Sequence, residues 1–115
     1  MSTAHGSATG HRDAKYYLIL LNAIPGRSLP AEVVGLHAAH LAQLDSAGKL
    51  VLAGPVPERA GGLLVLRTGS LAEARAVAEE DPLVRGKYQT YEVGTWVLSN
   101  RENSYRPNIQ PEAGQ

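Results

Sequence analysis

The chain has no cysteine among its 115 residues, and that absence removes disulfide staples, thiolate catalysis and cysteine-ligated zinc. Charge of one sign is not in excess either: 11 Lys and Arg balance 11 Asp and Glu. The basic residues form no stripe, which argues against a phosphate-backbone binder, so nucleic acid is not an expected partner. No run of about 18 apolar residues occurs, as a membrane-spanning helix needs. The leading MSTAHGSATGHRDA lacks the apolar stretch of a signal peptide. A soluble, cytoplasmic protein without a membrane partner is expected. A Gly-rich phosphate loop and a Gly-x-Ser-x-Gly elbow are also missing. Any chemistry must come from histidine, carboxylates, hydroxyls or the backbone.

What is present is enough chain for one domain with a real core. Residues 1–14 and 101–115 are small, polar and turn-forming. They are expected to be flexible tails around a folded segment 15–100. His5 and His11 fall in the leading tail, where they would bind metal only adventitiously.

KYYLILLN, from Lys15 to Asn22, reads as a strand apolar on both faces. From Pro30 a helical period follows and stops at Gly48, a left-handed C-terminal cap. KLVLAG is a second strand, ended by Gly54-Pro55, and GGLLVLRT a third. SLAE at 70–73 is a capping-box signature, with Ser70 accepting from the third helical amide and Glu73 reaching back. The helix it opens runs to Glu80, where Asp81-Pro82 interrupts it. KYQTYEVGTWVLS, residues 87–99, makes the last strand. The order strand, helix, strand, strand, helix, strand indicates an α+β, ferredoxin-like βαββαβ fold: a four-stranded antiparallel sheet with two helices on one face. The other face is then an apolar surface open to water, which a homodimer packed sheet against sheet would remove.

At about 100° per residue, Val33, His37, His40, Leu41 and Leu44 share the inward stripe of the first helix. Right-handed crossovers bring Asn22, His37, Gly54-Pro55 and Asp81 to one edge of the sheet. His40 lies one turn deeper. His37 is open to two readings: a core histidine with locally satisfied nitrogens, or a general base held in one tautomer by a carboxylate. Asp81 is the candidate partner, although as a cap for a turn begun by Pro82 it already has a sufficient role. The two roles are compatible. Gly54-Pro55 either ends a strand or lets a substrate approach the backbone closely. Arg59, Arg85 and Lys87 either are solvated surface cations or hold an anionic group of the substrate. His37 and His40 could both ligate a metal, but no acidic residue shares their stripe and HAAH lacks the glutamate of a zincin helix, so neither metal nor cofactor is expected.

The spacing of His37, Gly48 and Gly54-Pro55, followed by GGLLVL, SLAEARAVAEEDPLVRG and YEVGTW, resembles the YCII family of small ferredoxin-like proteins. The likeness covers Lys15 to Ser99. It implies that His37 and Asp81 form the site, that the dimer closes as an α+β barrel, and a kinship with dehydrochlorinases and muconolactone isomerases of aromatic breakdown. Leu83 stands where the family usually has an aromatic residue after Asp-Pro, which would alter the pocket wall. His40 lies outside the family pattern. The expected activity is that of a cofactor-independent lyase or isomerase acting on a small cyclic or aromatic-derived metabolite. His37 would be its base and Asp81 the group that steadies the imidazolium. His40, Gly54, Pro55, Arg59 and Arg85 would contact substrate, with backbone near Gly54 holding an enolate oxygen. Cofactor-free oxygenation, a binding module that does no chemistry, and an accessory partner of another enzyme are the alternatives.

Overall fold

The computed structural model describes residues 15–111. The strands are β1 (Tyr16–Ala23), β2 (Leu50–Val56), β3 (Gly61–Arg67) and β4 (Gln89–Trp96); the helices are α1 (Ala31–Ser46), α2 (Leu71–Glu80) and the single turn α3 (Pro82–Arg85). Strand order is β2-β3-β1-β4 and every pairing is antiparallel. This is the ferredoxin-like α+β arrangement, with the short α3 as a third helix. The two expected tails are treated unequally: residues 1–14 lie outside the described residues. Within the trailing stretch, Arg101–Asn103 forms a 3-10 turn capped reciprocally by Asn100 and Asn103.

β1 is central, and alternation sorts its side chains. Tyr17, Ile19 and Leu21 point into the core with Leu64 and Leu66 of β3, against Leu44 of α1, Leu71, Ala74, Val77 and Ala78 of α2 and Leu83 of α3. Register carries this across the sheet, Ile19 lying opposite both Leu64 and Val93. All three helices therefore cover one face. Tyr16, Leu18, Leu20, Leu63, Val65, Leu52 and Trp96 belong to the other, where Val65 is buried and Leu52 is 62% exposed.

Two local expectations need correction. Gly54-Pro55 does not end β2: the ladder continues with Gly54 opposite Leu63, Pro55 opposite Gly62 and Val56 opposite Gly61. Proline is admissible there because β2 is an edge strand, where one side of the backbone has no ladder bond to lose. The capping box at α2 is also displaced by one residue. Ser70 Oγ accepts from Glu73 N at 3.0 Å, but Glu73 reaches back to the backbone N–H of Gly69, at 3.0 Å. Gly48 does take the left-handed conformation, φ +75°, after α1. The N–H of Lys49 returns there to the carbonyl of Leu44 at 2.9 Å.

Candidate active site

α1 turns Val33 and Leu41 toward the core, with Leu44 buried in its last turn, and this phase carries His37 inward on the same stripe. Where α2 ends, Pro82 cannot continue its ladder, and the chain restarts as α3 with Asp81 as cap. Leu83 N donates to Asp81 Oδ1 at 2.9 Å. Leu83 itself is in the core cluster, so the residue after Asp-Pro fills the interior beneath the cap.

The cap leaves Asp81 facing α1. His37 Nδ1 lies 3.0 Å from Asp81 Oδ1 and 2.9 Å from Oδ2, bringing together residues 44 apart in the chain. Asp81 is 1% exposed and the His37 side chain 19%. A carboxylate so enclosed must be compensated by donors, and Leu83 N–H and His37 supply them. An ionised carboxylate only accepts, so Nδ1 carries the proton. In the neutral ring the lone pair then resides on Nε2. The arrangement can hold one tautomer, present a base on the partly exposed side of the ring and balance the positive charge formed when that base is used.

The other candidates are placed as follows. His40 lies on the same stripe, and its Nε2 is shielded from solvent with no hydrogen-bond partner. Pro55 and Gly54 lie in the exposed edge strand β2, and a Cβ added to Gly54 would meet no atom within 4 Å. The tight approach is at Gly61, whose added Cβ would lie 1.9 Å from the Leu21 carbonyl oxygen. Arg59 is in the 3-10 turn Pro57–Arg59 and donates through Nη2 to Asn22 Oδ1 at 2.8 Å. Asn22 Nδ2 in turn donates to Glu92 Oε2 at 3.1 Å. By strand alternation Asn22 and Glu92 lie on the sheet face away from the helices, so this chain of contacts is separate from His37 and Asp81. Arg85 and Lys87 are exposed around the end of α3.

A further contact at this end of the fold had no signal in the residue pattern. The Arg27 guanidinium stacks over the Tyr88 ring at 4.2 Å, joining the loop after β1 to the segment after α3. Among the described residues no three His, Asp or Glu side chains converge as a metal site. No helix there is long and apolar enough to cross a membrane.

Comparison with known proteins adds two findings. The family described as YCII-related domain matches residues 16–97. Among solved structures the chain is similar to 5-chloro-2-hydroxyhydroquinone dehydrochlorinase from Burkholderia phenoliruptrix AC1100 in complex with 2,5-dihydroxybenzoquinone. The identity is 24%, coverage is 76% of this chain and 97% of that one, and the TM-score is 0.58. At that identity the likeness is one of fold. No curated protein matches the chain.

Proposed function

This chain belongs to the family of YCII-related domains, and from that premise we propose that it is a cofactor-independent lyase or isomerase acting on a small cyclic or aromatic-derived metabolite. The observation that carries the reading is the bond between His37 Nδ1 and the buried carboxylate of Asp81, which leaves Nε2 as the free nitrogen. In this reading Nε2 takes a proton from a ring carbon beside a carbonyl, and the C–H electron pair moves into an enolate. The enolate collapses in one of two ways. It expels a leaving group from the neighbouring carbon, so that a proton on His37 and an anion in solution account for the lost HX. Alternatively it takes the same proton back at a different carbon, shifting the double bond. Asp81 stabilises the imidazolium between the two steps.

The fold neighbour supports the choice of substrate class, since the protein in that structure is a dehydrochlorinase holding a dihydroxyquinone. The apolar sheet face opposite the helices supports a homodimer formed through that face, in which each copy keeps its own His37 and Asp81. The absence of cysteine is in keeping with a cytoplasmic setting.

Chloride release from chlorinated hydroxyhydroquinones and solvent deuterium exchange into ring positions test the reaction. His37→Ala is expected to lower turnover by roughly a hundred- to ten-thousand-fold, the usual contribution of a general base. A His37→Ala protein with wild-type turnover overturns the assignment. Binding of 2,5-dihydroxybenzoquinone with neither chloride release nor exchange would indicate a binding module instead.

A further inference from the structure

We propose that the C-terminal arm, residues 97–111, docks on the outward face of α1 of a second copy of this chain, with Tyr105 as its anchor. The proposal is independent of the chemistry assigned to His37 and Asp81. It starts from a helix with no charged side. From Val33 to Leu44, α1 holds no Lys, Arg, Asp or Glu, although half its circumference faces away from the sheet. Val34 and Leu36 are 46% and 52% exposed there, and Ala38, Ala39 and Ala42 are exposed with them. A surface helix ordinarily turns charged residues to water, and one that is apolar all round is buried. Such a face calls for cover.

The same chain carries apolar groups that lack a seat. Tyr105 is 66% and Ile109 75% exposed. The turn before Tyr105 is fixed by bonds of its own. Asn100 and Asn103 cap each other, Asn103 Nδ2 donates to the Leu98 carbonyl at 2.9 Å, and Tyr105 N donates to the Asn100 carbonyl at 2.8 Å. These bonds hold Ser104 and Tyr105 at φ +54° and +62°. For a bulky residue that conformation is unfavourable and lasts only where its neighbours impose it. The outcome is an aromatic ring held out to solvent.

The arm also stands off the body. The described chain is 52 Å long but 28 by 27 Å across, with a radius of gyration of 15.9 Å, against about 12.5 Å for a compact chain of that length. The longest elements, α1 and the eight-residue strands β1 and β4, span only about 24–27 Å. The excess length therefore belongs to residues 97–111.

Charge decides the occupant. The ionised groups of α1 are Glu32 and Asp45, exposed near its two ends, and no basic residue accompanies them. Two α1 faces laid together would set carboxylate against carboxylate in either direction. The arm instead brings Arg101 and Arg106, on either side of Tyr105, against the single Glu102. Tyrosine beside arginine is also the composition that anchors protein interfaces. Because the arm projects from its own body, the α1 it meets is that of another copy.

The absence of cysteine makes the test direct. Asn108→Cys in one copy and Ala39→Cys in a size-tagged other are co-expressed and treated with a short bis-maleimide. All positions altered in this test are exposed, so the fold is not at risk. The expected product joins the two kinds of copy. Tyr105→Asp, and separately a chain ending at Ser99, should each raise the dissociation constant of the otherwise unaltered dimer about tenfold or more, measured by sedimentation. If a chain carrying both cysteines links only within itself, the arm folds back on its own helix. If Ala39→Cys alone links as well as the mixture does, α1 pairs with α1. Either result overturns the proposal, as does a mixture without mixed product or a dissociation constant unchanged by both arm variants. Turnover is read at no step, so the outcome is separate from that of His37→Ala.

Discussion

Asp81 shows how one side chain can serve the backbone and the site at once. Its Oδ1 accepts from Leu83 N and its two oxygens together hold His37 Nδ1. Asp81→Asn separates the roles. The amide oxygen can still cap Leu83, but the amide nitrogen donates, so His37 Nδ1 must accept and its proton moves to Nε2. The base is then lost with the fold retained. The expected outcome is a fall in turnover approaching that of His37→Ala, with a thermal unfolding midpoint only a few degrees lower, measured by steady-state kinetics and melting. Both residues were legible in the sequence because each stood out locally, a histidine in an apolar stripe and an aspartate before proline. Arg59 was not legible in the same way: periodicity says nothing about where a long flexible side chain ends, and this one ends on Asn22.

Glu73 is the residue whose ionisation the fold favours. Its carboxyl is held below the ordinary value of 4.5, first by the backbone N–H of Gly69 and then by Lys49, with burial opposing. A carboxyl lowered in the folded state adds stability that is fully present above its unfolded value and is lost as pH falls through the folded one. Glu73→Gln is therefore expected to melt below wild type at pH 7, with the gap closing under acid conditions beneath pH 4.5. A gap that stays constant with pH would assign the effect to packing.

Among elements, α1 and the turn into β3 respond to the same substitution in opposite directions. Gly35 is exposed inside α1 and an added Cβ meets no atom within 4 Å. Gly35→Ala should thus stabilise by about 0.5–1 kcal/mol. At Gly61 the added Cβ falls 1.9 Å from a backbone oxygen of β1, so the strands must part. Gly61→Ala is expected to lose at least about 1–3 kcal/mol, the usual range for an overpacked position, or to fail to fold; denaturant titration of both variants checks this. Element type and order were readable because alternation in β1 and the helical period of α1 are strong signals. The end of β2 was misjudged because Gly54-Pro55 normally marks a stop. Whether it does depends on the strand being at an edge, and that is a property of the assembled sheet.

At the scale of the molecule, three helices shelter one side of four strands and leave Leu18, Leu20, Leu52, Leu63 and Trp96 on the other. A patch of this kind is unfavourable on a free monomer. With a homodimer through this face, Leu52→Glu is expected to shift sedimentation at micromolar concentration from dimer toward monomer, each monomer retaining its folded signature. A wild-type protein that sediments as a stable monomer would contradict the dimer directly. The open apolar face itself was foreseeable from strands apolar on both sides. The Arg101–Asn103 turn was not, because its reciprocal asparagine caps leave no hydrophobic pattern.

The imino acid at position 55 has a consequence beyond its own strand. Exposed sheet borders invite further chains to add on, the first step toward fibrils, and a residue with no amide hydrogen breaks that template. Placed in the outermost strand beside an exposed Leu52, Pro55 acts as a gatekeeper, discouraging open-ended growth along the border while leaving the flat face available for closed association.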